Sequence, residues 1–386
     1  MGSWKTCTIS DLGTVVGGAT PSTKNTENYD GGTIPWITPK DLASFSDRFI
    51  SHGERNITES GLNSCSAQLM PAHTILFSSR APIGYIAIAE RELCTNQGFK
   101  SVIPNKNTDY MFLYYLLKYN RAKIENLGSG TTFKEVSGST MRGIEVSVPE
   151  SIDEQRRIAH VLSALDDKIE INNQINGNLH EQAKAIFSKM IIEDADKSWT
   201  PGVLSDIAKV TMGQSPKGDT YNEDGVGTVF FQGRAEFGFR FPARRLYTTD
   251  PKRMAQANDA LLSVRAPVGD MNVAYEDCCI GRGLAAISSK NGHQSFVLYT
   301  MFNLREELNV FNGEGTVFGS INRDALNSMP ISIPPKKVQD EFEAIVAPMD
   351  AAIRNHYDEI CRFAAIRDSL LPRLMSGELD VSDLDL

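Results

Sequence analysis

The chain has 386 residues, 41% of them apolar, a length that implies two or three domains with sizeable cores. No stretch reaches the 18 or so continuous apolar residues of a membrane span and the N-terminus has no apolar signal core, which excludes an ordinary membrane or secreted chain. A net charge of −9 argues against nucleic acid until it is divided: residues 1–150 carry 0, 151–198 carry −3, 199–334 carry −1 and 335–386 carry −5, so the two globular regions are free to hold local basic surfaces.

In chain order, residues 1–150 read as a mixed domain. Short alternating runs between Gly- and Pro-rich turns predict strands at Thr33–Ile37, Thr74–Ser78, Tyr85–Ala89 and Phe99–Ile103. One helix is predicted at Tyr110–Glu125, with Phe112, Leu113, Leu116, Leu117 and Ile124 on one side. An extended run, Ile144 to Val148, ends at Pro149, and Ser151 with Glu154 forms a capping-box pattern that starts a long helix over 151–193. Along it Ile158, Leu162, Leu165, Ile169, Asn172, Asn176, Leu179, Ala183, Ile186 and Met190 follow at steps of four and three, the seam of a coiled coil.

A short linker, Asp194–Gly202, leads into a second globular region within 194–334, with a helix at Ser295–Glu307. A second long helix, 335–378, then repeats the seam 184 residues downstream: Phe342, Val346, Met349, Ile353, His356, Ile360, Phe363, Arg367, Leu370 and Leu374. Pro334-Pro335 precedes it without a capping box, Pro372 is expected to break or bend it near its end, and 379–386 is a tail. Each seam spans roughly 50 Å at about 1.5 Å per residue.

The globular regions repeat as well. Ser3-Trp4 recurs as Ser198-Trp199, Ser10-Asp11 as Ser205-Asp206 and Gly18 as Gly213, at an offset of 195. Gly32-Thr33-Ile34-Pro35-Trp36 recurs as Gly227-Thr228-Val229-Phe230-Phe231 at the same offset. The offset then falls to 185, where Arg80-Ala81-Pro82-Ile83-Gly84 answers to Arg265-Ala266-Pro267-Val268-Gly269 and Gly128–Phe133 to Gly313–Phe318. The chain is one unit, domain plus helix, used twice. The expected fold is α+β: two similar mixed α/β domains separated by two long antiparallel helices that pair as a coiled coil, related by a pseudo-two-fold axis. If the helix centres coincide, Asn176 faces His356, either as a register-fixing polar pair or beside a solvated gap.

No G-x-x-x-x-G-K-[ST] loop, dinucleotide fingerprint, His-Glu-x-x-His, G-x-S-x-G or metal-spaced Cys/His set occurs. Six cysteines lie at 7, 65, 94, 278, 279 and 361 without Cys-x-x-Cys spacing, pointing to free thiols in a reducing cytoplasm and to no metal. Gly128-Ser129-Gly130-Thr131 and Gly313-Glu314-Gly315-Thr316 suit flexible turns better than phosphate cradles, given Glu314. No catalytic centre and no cofactor are expected.

The length change between the copies falls between Leu42 and Arg80 and between Phe237 and Arg265. A shared frame carrying a segment that differs in length and chemistry suits two readers of different targets; drift in a tolerant loop is the alternative. Around the second segment lie Arg234, Arg240, Arg244, Arg245 and Arg253, interleaved with Phe237, Phe239 and Phe241. Arginine forks suit guanine edges and phosphates, although such a run also suits a solvated face. Gln232 fits adenine; Thr38 and Lys40 stand at the first copy's equivalents of Gly233 and Ala235. Arg80 and Arg265 are shared, either phosphate clamps or structural ion pairs.

At Ser79–Gly84, Asn96-Gln97-Gly98-Phe99-Lys100, Cys279-Ile280-Gly281-Arg282-Gly283, Glu154-Gln155-Arg156-Arg157 and the ending Leu370–Leu379, the sequence resembles the specificity (S) subunit of type I restriction–modification systems, over nearly the whole chain. The resemblance implies two target recognition domains, each reading half of a split double-stranded DNA site, with the helices as a ruler. It implies modification (methyltransferase) subunits, which bring the methyl donor, and restriction subunits, which bring translocation and cleavage. Val338-Gln339-Asp340-Glu341 departs from the first helix's Glu-Gln-Arg-Arg start. The expected DNA-contacting set is Thr38, Lys40, Arg80, Gln97, Lys134, Gln232, Arg234, Arg240, Arg244, Arg245, Arg265 and Arg282. The remaining alternative is a non-catalytic scaffold with two peptide-binding domains.

Overall fold

The structure, a computed structural model, describes residues 3–43, 45–80, 82–130, 134–196, 199–313 and 319–381. The repeat positions Ala81, Thr131 to Phe133, Ser198 and Glu314 to Phe318 lie outside these residues, as does the tail from Ser382. The chain forms two compact units that cut across the long helices: residues 1–173 with 358–386, and residues 174–357.

In the first unit a sheet runs in the order Gly13–Gly17, Lys100–Pro104, Ile75–Phe77, Ile86–Ala89, Phe49–Ile50, antiparallel except for the last pair. A smaller sheet orders Arg55–Ile57, Ile34–Ile37 and Cys94–Thr95, the last two strands parallel. The second unit repeats this plan: Ala208–Met212, Leu284–Ser289, Ala260–Ser263 and Met271–Val273 in one sheet, and Tyr247–Thr248, Thr228–Phe231 and Cys278–Ile280 at the centre of the other, again with a parallel pair. The repeated Ser-Asp has a local cause. Asp11 and Asp206 each accept the backbone amide three residues upstream, at 2.7 and 2.8 Å, at the start of a one-turn helix.

The domain helix expected at Tyr110–Glu125 is two helices, Tyr110–Tyr119 and Arg121–Asn126, and its counterpart is Gln294–Asn303 followed by Arg305–Asn309. Asn120 turns the chain in the first copy, its side chain donating to the carbonyl of Leu116 and so competing with the backbone ladder. The first long helix is Ile152–Phe187, continued by a π-helical turn to Glu193; the second is Lys336–Met375. Pro372 does not end the second helix, nor does Pro348 within it: each withholds one amide donor, and the helix continues. Both starts use one glutamine. The Gln155 amide donates to the carbonyl of Pro149 (3.2 Å) and that of Gln339 to Pro334 (2.8 Å), so Gln339 keeps the role despite its altered neighbours.

All twenty seam positions are buried or half-buried. Within the first unit Asp166 takes Arg367 at 2.6 Å and Asn172 donates to Glu359 at 2.9 Å. Within the second, the His356 Nδ1 and Asn176 Oδ1 atoms lie 2.8 Å apart. Numbers rise along one helix as they fall along the other, so the helices pair antiparallel in each unit, and the polar pair fills the place that a solvated gap would have taken. The helix ends are also buried in the domain cores. Ile158, Leu162 and Leu374 pack with Phe77, Phe112 and Tyr115, and Phe187, Phe342 and Val346 pack with Phe296 and Tyr299. An isolated helix pair would leave those ends half wet; here the sheets' flanking helices cover them.

Candidate nucleic-acid interface

Each unit presents one exposed edge where its two parallel strands end. In the first, Trp36 pairs with Cys94 and Ile37 with Thr95; in the second, Phe230 pairs with Cys279 and Phe231 with Ile280. The ladder therefore sits one residue off the sequence alignment. Thr38 answers to Gln232, and Lys40 to Arg234, rather than to Gly233 and Ala235. A single-residue slip in the loop before the strand, invisible in sequence, accounts for the difference.

Beyond these strands the chain turns sharply through Asn96-Gln97-Gly98 and Gly281-Arg282-Gly283. The turns press on Gly18 and Gly213, where an added Cβ would lie 2.1 Å from the carbonyl oxygens of Asn96 and Gly281. Only glycine admits that approach, which explains the repeat of this residue. Gln97 and Arg282 occupy the same place in the two turns. Both are exposed, and each turn is tied to the following loop: Thr20 Oγ1 donates to Gln97, and the Arg282 amide donates to Ser215 Oγ at 3.2 Å.

The shared Arg-Ala-Pro-x-Gly turn lies alongside. Ser79 donates its amide to the carbonyl of Gly98 (2.7 Å) and accepts from Val136 (2.8 Å), and Arg80 bridges to Glu135. That places the Arg80 backbone between Gln97 and Glu135, with Lys134 next in the chain. Val264 does the same between Gly283 (3.0 Å) and Ile321 (3.1 Å), and Arg265 bridges to Ser320. Gly84 and Gly269 close these turns with φ of +95° and +103°, a region that costs other residues strain. Among the described residues neither Arg80, Arg265, Arg282 nor Lys134 makes a side-chain ion pair, so the edge keeps uncommitted basic groups. Thr38 is turned inward, its hydroxyl donating to Asp41 at 2.6 Å, and Lys40 pairs with Glu54 at 2.7 Å on the surface.

The arginine-rich stretch divides. Arg234 pairs with Asp270, directly after the Arg265–Gly269 turn, and so belongs to the edge. Arg244 pairs with Glu276 (2.5 Å) and Arg245 with Glu223 (3.0 Å), solvent-exposed pairs that a phosphate can replace, while Arg245 is also anchored to the buried Glu236 carboxylate (2.5 Å). Arg240 is corrected outright as a DNA contact. It is 5% exposed and lies between Asp350 (3.2 Å), Tyr299 Oη (3.0 Å) and His180 Nδ1 (3.3 Å).

The same environment acts on His180: burial, then the Arg240 charge, pushes its pKa down to about 4. The unfolded imidazole titrates near 6.5, so the unfolded chain binds the extra proton first as pH falls. The stabilisation held by the neutral ring is present above about pH 6.5 and lost down to about pH 4, at up to about 1.4 kcal/mol per pH unit. Chemical denaturation of wild type and His180→Gln at pH 7 and pH 5 should show the extra loss in wild type only.

Sequence reasoning missed three interior charges, Asp166 and Arg48 buried and Asp350 half-buried. Asp166 and Asp350 stand 184 residues apart, the seam's own offset, and each gathers a domain tyrosine: Asp166 takes Tyr115 Oη at 2.6 Å, and Asp350 takes Tyr299 Oη at 3.2 Å and Ser295 Oγ at 2.7 Å. The repeat could have flagged that pair. Arg48, 5% exposed and bound to Glu170 and Asp167, carries no signal in sequence. Among the described residues no His, Cys, Asp or Glu cluster is placed to hold a metal, and no helix is long and apolar enough to cross a membrane.

A family profile described as the type I restriction modification DNA specificity domain matches residues 1–181 and again 196–360. The type I restriction enzyme MjaIX specificity subunit of Methanocaldococcus jannaschii is 33% identical, over 99% of this chain and 94% of its own length. The putative MjaX specificity subunit of the same organism is 32% identical over 80% of this chain and 78% of its own length. The crystal structure of a type I restriction–modification S subunit from M. genitalium superposes with a TM-score of 0.60 at 17% identity, covering 97% of this chain and 96% of that one, which bears on the fold alone.

Proposed function

Because this chain belongs to the type I restriction–modification DNA specificity family, we propose that it is the DNA-reading subunit of such a complex, each globular domain recognising one half of a bipartite double-stranded site. The observation that carries this reading is the duplicated edge: one frame that presents Arg80, Gln97 and Lys134 in one unit and Gln232, Arg234, Arg265 and Arg282 in the other. Shared arginines grip phosphates without regard to sequence, while Gln97 against Arg282 at one shared position gives each domain different base-edge chemistry.

Methyl transfer, translocation and cleavage fall to modification and restriction subunits, and this chain supplies no catalytic group of its own. The long helices give those subunits a docking surface and set the separation of the half-sites. A helix of about 50 Å matches roughly 14 base-pair steps at 3.4 Å.

Methylome sequencing of cells with and without the gene should reveal one split motif that disappears with the gene; methylation that persists unchanged would defeat the reading. Purified chain incubated with DNA and labelled methyl donor but no partner should transfer nothing. Arg80→Ala and Arg265→Ala should each weaken binding equally across sequences and lower the salt slope of the affinity by about 1. Gln232→Ala should instead relax one base pair of one half-site, by about 1–3 kcal/mol. Binding isotherms over a salt series and a randomised-site panel separate the two classes of effect.

A further inference from the structure

The segments in which the two domains differ in length nevertheless keep one feature in common. The carbonyl of Arg48 accepts the amide of Ile88 at 2.7 Å, and the carbonyl of Arg240 accepts that of Val273 at 2.8 Å. Ile88 and Val273 are repeat equivalents on the same sheet strand, so both segments deliver a buried arginine to the same sheet edge. Each guanidinium then reaches its unit's long helix. Arg48 binds Glu170 through Nε (2.7 Å) and Nη2 (2.8 Å) and also pairs with Asp167; Arg240 binds Asp350, the repeat equivalent of Asp166.

We propose that Arg48 and Arg240 are positioning residues that latch each recognition domain to its helix at a fixed angle, and so set how strictly the spacing of the half-sites is read. This rests on the reading of the helices as the element that sets that spacing. Packing alone would favour an apolar side chain here, because burying a guanidinium carries a desolvation cost that its ion pairs only offset. What arginine adds is direction: a planar fork held at two nitrogens, as Arg48 is on Glu170, fixes rotation as well as distance. The second unit braces the same junction differently. Arg354, at the repeat position of Glu170, donates to Asn258 Oδ1 (3.0 Å) and to the carbonyl of Tyr275, and lies 4.3 Å from the centroid of the Tyr275 ring. A junction retained with different partners, between segments that otherwise diverge, points to the junction itself as the thing conserved between the two copies.

The test uses the full chain assembled with its methyltransferase subunits, wild type against Arg48→Met and Arg240→Met. The substrates are duplexes carrying both mapped half-sites with the native spacer or one base pair more or fewer. Wild type should prefer the native spacer by about 100-fold or more, since a misplacement of about 1 Å can already cost that much. Each latch variant should cut that preference to about tenfold or less while its half-site sequence preference stays the same. If Arg48→Met does not assemble, the Asp167→Asn, Glu170→Gln double variant opens the same latch from the helix side. Variants that lose rate on every duplex alike, with spacer preference intact, would overturn the proposal and leave the arginines as packing. A wild-type complex indifferent to spacer length would instead overturn the spacing reading on which it rests.

Discussion

Inserting one heptad into each long helix is expected to lengthen the gap between the two recognised half-sequences by about three base pairs, with both half-sequences unchanged. Seven residues add about 10 Å of helix, and 3.4 Å separates successive base pairs. A heptad is the insertion to choose because it preserves the phase of the 3.5-residue seam, whereas three or four residues would shift that phase and locally overwind or unwind the pair. The insertions belong between Asn172 and Asn176 in the first helix and between His356 and Glu359 in the second. There the polar contacts of Asn172 with Glu359 and of Asn176 with His356 flank the cut and survive it. Lengthening one helix alone should abolish folding or assembly, since the seam then loses register over half its length. Methylation mapping gives the answer directly, and an unchanged spacer would refute the helices as the measuring element.

Replacing Asp166 by alanine is expected to destabilise the chain by about 3–5 kcal/mol, the range for breaking a buried, hydrogen-bonded charge pair. Asp166 is 4% exposed and binds Tyr115 Oη and Arg367 together, so its loss strands a hydroxyl and a half-buried guanidinium on facing elements. At about 2–4 °C per kcal/mol for a unit of this size, the first unit should melt roughly 10 °C lower. Burial holds the Tyr115 hydroxyl protonated, with the Asp166 charge adding to the effect, so the phenol cannot compensate by ionising. The double variant Asp166→Leu with Arg367→Leu removes both charges and should recover much of the loss. Thermal unfolding of the three proteins tests this, and a single variant within about 1 kcal/mol of wild type would contradict the account.

The two copies neutralise their equivalent helix aspartates by different means, which bears on how the repeat diverged. Asp166 is neutralised from the second long helix by Arg367, while Asp350 is met from its own domain by Arg240. The seam position facing Asp350 in the repeat is Ala183, so the cation has moved from helix to domain. The arginine-rich stretch is therefore partly explained without DNA, as internal wiring of the second unit.

The repeat, the seam and its antiparallel register were legible in the sequence because each depends on spacing along the chain. A stripe at 3.5 residues fixes what faces a partner helix, and two stripes 184 residues apart fix where Asn176 meets His356. The edge residues Arg80, Gln97, Arg265 and Arg282 were legible for the same reason, as motif positions beside repeated glycines. Only the tertiary structure decided which arginines face outward. Arg240 and Arg244 stand four residues apart, yet one is buried against Asp350 and the other sits on the surface with Glu276. Arg48 finds its carboxylates about 120 residues away. Whether a charge is paired depends on what the fold brings to it across such distances, and no periodicity in the chain records that.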